Sequence, residues 1–169
     1  MKRFFALILI LYLSACGPTK LVDSCGEQPI LVRSPQPDRN DLEKLQKSFG
    51  IRAVINLRGA RLEDWYVEEA MACNELGIKL INFKVSGRRP PTQDEINRFL
   101  EIIRDVQNHP ILIHCQGGIH RTGVYVAVYQ LYVKQWKADR VLEYLLDNYF
   151  NWGTVDRTPV EEWLRQHPQ

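Results

Sequence analysis

Apolar and polar positions along the chain follow two periods. Short apolar runs at 30–34 (ILVRS), 53–57 (AVINL), 79–85 (KLINFKV) and 111–114 (ILIH) have the length and β-branched content of buried strands. Between the first two, Leu42, Leu45 and Phe49 recur at helical spacing up to Gly50, behind a capping-box pattern at Asn40 and Glu43. Residues 63–76 (EDWYVEEAMACNEL) read as a helix whose first turn is acidic, as the macrodipole favours, and Gly77 closes it. Thr92 and Glu95 make a second capping box, and Ile96, Phe99, Ile102, Ile103 and Val106 form an apolar face reaching Gln107. Asn108-His109-Pro110 breaks that helix. Further helices are predicted from near Thr122, over 137–149 and over 158–167, packed by Tyr149, Phe150, Trp152 and Trp163.

Strands alternating with helices predict an α/β fold, with a central, mostly parallel sheet of four to five strands flanked by helices. At 169 residues the chain suits one domain with a sizeable core, assigned to 30–169. Residues 16–29 read as a tether with little regular structure. A net charge of +2, with 25% charged and 45% hydrophobic residues, carries no global field of the kind that gathers nucleic acid. Any preference for anions must be local. A monomer that does not bind nucleic acid is expected.

The first fifteen residues have a different character. Lys2 and Arg3 precede an apolar run from Phe4 to Leu13, half of the roughly twenty residues a membrane helix needs. That is the pattern of a secretory signal. Leu13-Ser14-Ala15-Cys16 resembles the lipobox of bacterial lipoproteins, which implies cleavage before Cys16 and its lipidation. Several acyl chains anchor stably where one is marginal. Gly17, rather than Asp, follows the cysteine, which by that resemblance favours the periplasmic side of an outer membrane. The competing reading is an ordinary cleaved signal in which Cys16 is incidental.

The chemistry concentrates at 111–132 (ILIHCQGGIHRTGVYVAVYQLY), where a strand passes through two glycines into a helix. In open α/β sheets ligands gather at the carboxyl ends of strands. Backbone N–H groups of the loop and the helix start then face a bound anion. Gly117 and Gly118 supply backbone freedom, the backbone of Gln116, Gly117, Gly118, Ile119 and His120 lines a nest, and Arg121 adds a fork matched to two phosphate oxygens. The same environment favours the thiolate of Cys115, and Thr122 is placed to donate its hydroxyl to the sulfur. A thiolate beneath an anion cradle predicts attack on phosphorus through a covalent intermediate, with no metal or other cofactor. In an oxidising compartment this leaves Cys25 and Cys73 either bridged or unpaired.

The segment HCQGGIHRTG matches H-C-x5-R-[ST], the signature loop of the cysteine-dependent protein tyrosine phosphatase superfamily. With ILVRSPQP, GIRAVINLRG and SGRRPP, residues 30–150 resemble the bacterial and the plant-and-fungal atypical dual-specificity phosphatases. The resemblance implies Cys115 as nucleophile, Arg121 as phosphate clamp, Thr122 as an aid to the sulfur and His114 as a buried residue holding the loop. It implies a phosphorylated protein or an inositol polyphosphate as substrate. Some relatives with a His-Arg-Thr-Gly loop ending, as at 120–123, act on inositol pyrophosphates. A rhodanese-type sulfurtransferase also heads a loop with cysteine, but usually lacks this spacing and the Arg-Thr ending.

One departure stands out. Many relatives carry a general-acid aspartate about thirty residues before the cysteine, where this chain has Gly87 in SGRRPP. Asp94 is the nearest candidate acid, with Asp64 or Glu63 behind it, although a first-turn carboxylate suits any capped helix. Lys84, Arg88 and Arg89 cluster on the same loop, either as a solvated face or as a rim for several phosphates. Arg58 is expected to fasten its own loop. The missing aspartate also leaves room for a phosphoanion-binding pseudophosphatase without turnover.

Overall fold

The structure, a computed structural model, describes residues 19–26, 28–148 and 158–167. The expected signal, Cys16 and the aromatic residues Tyr149, Phe150 and Trp152 lie outside the described residues. Five strands, β1 (Lys20–Cys25), β2 (Gln28–Ser34), β3 (Ala53–Asn56), β4 (Lys79–Asn82) and β5 (Ile111–His114), form one sheet in the order β1-β2-β5-β3-β4. β2, β5, β3 and β4 run parallel, and β1 joins the edge antiparallel to β2. The helices are α1 (Arg39–Phe49), α2 (Asp64–Glu75), α3 (Gln93–Arg104), α4 (His120–Tyr132), α5 (Ala138–Asn148) and α6 (Thr158–Gln166). The α/β class and parallel sheet match the expectation.

Strand alternation divides the core in two. Leu31, Ala53, Ile55, Ile111 and Ile113 pack on one face with Phe99, Val126, Val141 and Trp163, from α3 to α6. Val32, Val54 and Leu112 point to the other face, onto Leu42 and Leu45 of α1 and Ala72 and Cys73 of α2. This period-two division decides which side chains meet at the strand ends, because Arg33 and Cys115 continue the first series while Asn56 and His114 continue the second.

Three expectations need correction. The tether reading of 16–29 gives way to β1, an edge strand of mixed polarity. It is held from outside its own sequence, since Asp23 accepts hydrogen bonds from Tyr129 Oη (2.5 Å) and Lys134 Nζ (2.9 and 3.0 Å). The first helix is capped by Asp38 with Asp41, not by Asn40 with Glu43, so it starts two residues earlier. Asp38 accepts from the Asp41 backbone N–H at 2.8 Å, and the Asp41 carboxylate accepts from the Asp38 N–H. Finally, Cys25 and Cys73 are both free. Cys25 is exposed at the end of the edge strand, whereas Cys73 is buried in α2, which packs beside β4 at the opposite edge. The second capping box, Thr92 with Glu95, forms as expected, but α3 ends at Arg104 and a single 3-10 turn covers Val106–Asn108.

Candidate active site

β5 ends at His114 and α4 begins at His120, so Cys115 to Ile119 form the whole connection. Gly118 sits at φ +66°, and a Cβ there would lie 2.5 Å from the Ser34 carbonyl oxygen. Only glycine allows this turn and this approach. Gly117 has no such requirement, since a Cβ there would meet nothing within 4 Å, so the freedom expected of both glycines rests on Gly118 alone. The exit of β2 secures the loop at two points. Arg33, 2% exposed, donates from Nη1 to the Gly118 carbonyl at 2.9 Å, and the Gln36 N–H donates to the Gln116 carbonyl at 3.0 Å.

With carbonyls fastened outward, the amides are left over. Unlike α1 and α3, α4 has no side-chain cap, and the N–H groups of Gln116 to His120 find no acceptor among the described residues. Cys115, at the head of the same loop, is 4% exposed. Half-buried Arg121, the second residue of α4, donates from Nη1 toward the Leu57 carbonyl at 3.4 Å. Oriented amides and a guanidinium around a thiol form a seat for a tetrahedral anion.

Behind the loop lies a buried polar network. Glu69 of α2 and His114 are both 0% exposed in their side chains, and Oε1 meets Nε2 at 2.6 Å. The other Glu69 oxygen accepts from Asn56 Nδ2 (2.9 Å) and Gln36 Nε2 (3.1 Å), while His114 Nδ1 lies 3.3 Å from the Cys115 carbonyl. His114 therefore holds the loop, as expected. Asn56 Oδ1 accepts the N–H groups of Arg58 and Gly59, which shapes the turn after β3. One turn along α2, the Cys73 thiol is pushed up to about 12 by burial and by the Glu69 carboxylate, a further reason it stays unbridged.

The remaining candidates divide. The SGRRPP loop does reach the cradle, because a Cβ on Gly87 would touch Arg121 Cγ, Cδ and Nε at 3.7 Å. It brings no carboxylate there. Lys84 and Arg88 are exposed, Lys84 packing beside Gly59. Arg89 is not a free rim cation, since its two terminal nitrogens grip Glu95 at 2.8 and 2.9 Å and so extend the capping box of α3. Asp94 is exposed in the first turn of α3, and Asp64 and Glu63 are exposed at the start of α2. The Thr122 hydroxyl is buried without a hydrogen-bond partner among the described residues, so the expected bond to the Cys115 sulfur is not made in this state. It lies on the inward side of the first turn of α4. His120 is exposed, and its pKa is lowered by partial desolvation and then by Arg121.

Sequence reasoning missed Arg33, Gln36, Asn56 and Glu69. Arg33 and Asn56 carried a signal, a polar residue closing an apolar strand at the carboxyl end of a parallel sheet. Glu69 carried none, because nothing local separates a buried helix carboxylate from a solvated one.

A family model described as "DSP-PTPase phosphatase fused to NAD+ Kinase" matches residues 20–158. Inositol diphosphatase DSP5 of Arabidopsis thaliana is 38% identical over 139 residues, 73% of this chain and 66% of that protein. Inositol diphosphatase DSP3 of the same plant is 38% identical over 102 residues, 57% of this chain and 48% of that protein. The chain thus spans less than two thirds of the length of these relatives. The fold is shared with the core catalytic domain of the PP-IP phosphatase SIW14 from S. cerevisiae, with a TM-score of 0.66 and 22% identity, over 81% of this chain and 80% of that one.

Two measurements follow from the site. Glu69→Ala leaves His114 buried without its partner, a loss of about 3–5 kcal/mol expected in urea unfolding. A loss under about 1 kcal/mol, the size of one neutral hydrogen bond, would refute the network's importance. By NMR, His120 should titrate below the usual histidine range, and Arg121→Met should move it part of the way back up. Removing the neighbouring cation favours the imidazolium, whereas burial remains. An unmoved titration would show that Arg121 does not act on His120.

Proposed function

The chain belongs to the dual-specificity-type cysteine phosphatase family whose model it matches over residues 20–158, and from that premise we propose that it hydrolyses phosphate esters and anhydrides through Cys115. The observation that carries the reading is a buried cysteine heading a loop of unbonded amides that ends at Arg121. The Cys115 thiolate attacks phosphorus, the S–P bond forms, and the P–O bond to the leaving group breaks with its electron pair going to that oxygen. Water then attacks the cysteinyl phosphate, the S–P bond breaks, and phosphate and thiolate are released. Loop amides and Arg121 take the charge that builds on the equatorial oxygens in both steps.

Gly87 narrows the substrate. No carboxylate reaches the leaving oxygen from the loop over Arg121, and general acid catalysis contributes typically about 10²–10⁴-fold. Leaving groups that depart as stable anions, such as a phenolate or the phosphate released from a diphosphate, lose least by its absence. The printed activities of the relatives, inositol diphosphatases, support a phosphorylated inositol carrying a diphosphate as the substrate class. A phosphorylated protein remains the alternative substrate. The same absence of an acid supports a second reading, a module that binds phosphoanions without turning them over.

Aryl phosphate and inositol diphosphate should be turned over, and Cys115→Ser should abolish turnover while keeping phosphate binding. Binding without turnover in the wild type would establish the second reading instead.

The lipobox-like Leu13-Ser14-Ala15-Cys16 supports lipid anchoring at Cys16, on the periplasmic side of an outer membrane. Mass spectrometry of the mature protein from cells should find an acylated Cys16 at its N-terminus. An unmodified N-terminus would end the lipoprotein proposal.

A further inference from the structure

We propose that Arg58 is a second phosphate-binding arginine of this site, selecting substrates with a phosphate beside the one that Cys115 attacks; this rests on the phosphatase reading above. β3 and β5 are parallel neighbours with Asn56 opposite His114, so the two chains leave the sheet side by side. Leu57, just before Arg58, donates its N–H to the His114 carbonyl at 3.0 Å and accepts from Arg121 through its own carbonyl. The backbone at Arg58 is thereby tied to both ends of the cradle.

Its side chain is set in advance. The guanidinium carbon lies 3.3 Å from the centroid of the Trp65 ring, and Nη1 donates to Gln36 Oε1 at 2.7 Å. Gln36 in turn holds the Gln116 carbonyl. Stacking and one hydrogen bond fix the plane of the fork while occupying one of its five donors.

What it lacks is a counter-ion. The arginines Arg39 and Arg89 each have a carboxylate in ion-pair contact, whereas among the described residues no carboxylate lies within 4.0 Å of Arg58. Burial and the neighbouring Arg121 both lower its pKa, while Glu69, Cys115 and Glu63 oppose this from a distance. Two half-buried guanidiniums close enough to repel, with one matching carboxylate between them absent, are best satisfied by a ligand that brings two negative groups. One phosphate has its seat over Cys115 with Arg121. A second phosphate, attached to the first or on an adjacent ring carbon, meets Arg58. On the SGRRPP loop Arg89 is committed to Glu95, and Arg88 is exposed without the stacking and hydrogen bond that set the Arg58 fork.

The test compares Arg58→Gln and Arg58→Lys with the wild type on an aryl monophosphate and on an inositol diphosphate. In parallel, Cys115→Ser proteins with and without each change are titrated calorimetrically with inorganic phosphate and with pyrophosphate. Arg58→Gln should lower kcat/KM on the diphosphate about 10–100-fold more than on the monophosphate, mainly through KM, as loss of a charge-assisted contact predicts. The affinity ratio of pyrophosphate to phosphate should fall by a similar factor, and lysine, a charge without the fork, should restore part of it. Equal losses on both substrates and both anions in Arg58→Gln and Arg58→Lys alike would overturn the proposal and leave Arg58 a loop fastener. If the wild type turns over neither substrate, the phosphatase reading fails, and the two titrations still decide whether Arg58 binds a second phosphate.

Discussion

A single carboxylate, buried where water cannot reach it, organises the catalytic end of this sheet. Removing a charge from water costs several kcal/mol unless it is paired and hydrogen-bonded. Glu69 meets that demand by drawing its partners from three places: His114 at the end of β5, Asn56 at the end of β3 and Gln36 beyond β2. These are the carboxyl ends of the three neighbouring central strands, so one helix side chain fixes how all three leave the sheet. The Cys115 carbonyl is held in turn by His114, so Cys115 inherits its position from a residue on the opposite face.

The other face carries a counterpart of opposite sign. Arg33 is buried among apolar side chains, yet its guanidinium holds the Gly118 carbonyl and reaches the Asn148 carbonyl at the end of α5. The loop is therefore held from both faces of the sheet, by Arg33 at the Gly118 carbonyl and by Glu69 through His114 and Gln36. Their common effect is to turn loop carbonyls outward and amides inward. Preorganisation of this kind is what electrostatic stabilisation of a charged transition state requires, because no dipole has to reorient when charge develops.

Charge around the mouth is also allotted rather than merely abundant. Glu95 binds Arg89 and closes the N-terminus of α3, and its own pKa is lowered chiefly by the hydrogen bond from Arg89. Arg121 and Arg58 have no carboxylate within 4.0 Å among the described residues, and Lys84 and Arg88 are exposed near them. A loop that looks uniformly basic in sequence thus divides into one structural arginine and a smaller set facing solvent.

Legibility followed the range of the interactions involved. The four parallel strands, the Thr92–Glu95 cap and the order of helices rest on neighbours within a few residues, so period and composition disclosed them. So did Cys115, Arg121 and the amides between them, since one loop of fixed length carries all three. The strand β1 escaped because it depends on Asp23 meeting Tyr129 and Lys134, more than a hundred residues away. Glu69 and Arg33 escaped for the same reason, and the choice between a bridged and an unpaired Cys25 and Cys73 fell to the structure because pairing needs proximity that spacing does not contain. By itself, then, the sequence determined the fold class and the loop that joins Cys115 to Arg121, whose pattern is local. Only the tertiary structure decided what holds that loop and which arginines are taken up by carboxylates, because a buried charge finds its partners across the sheet and not along the chain.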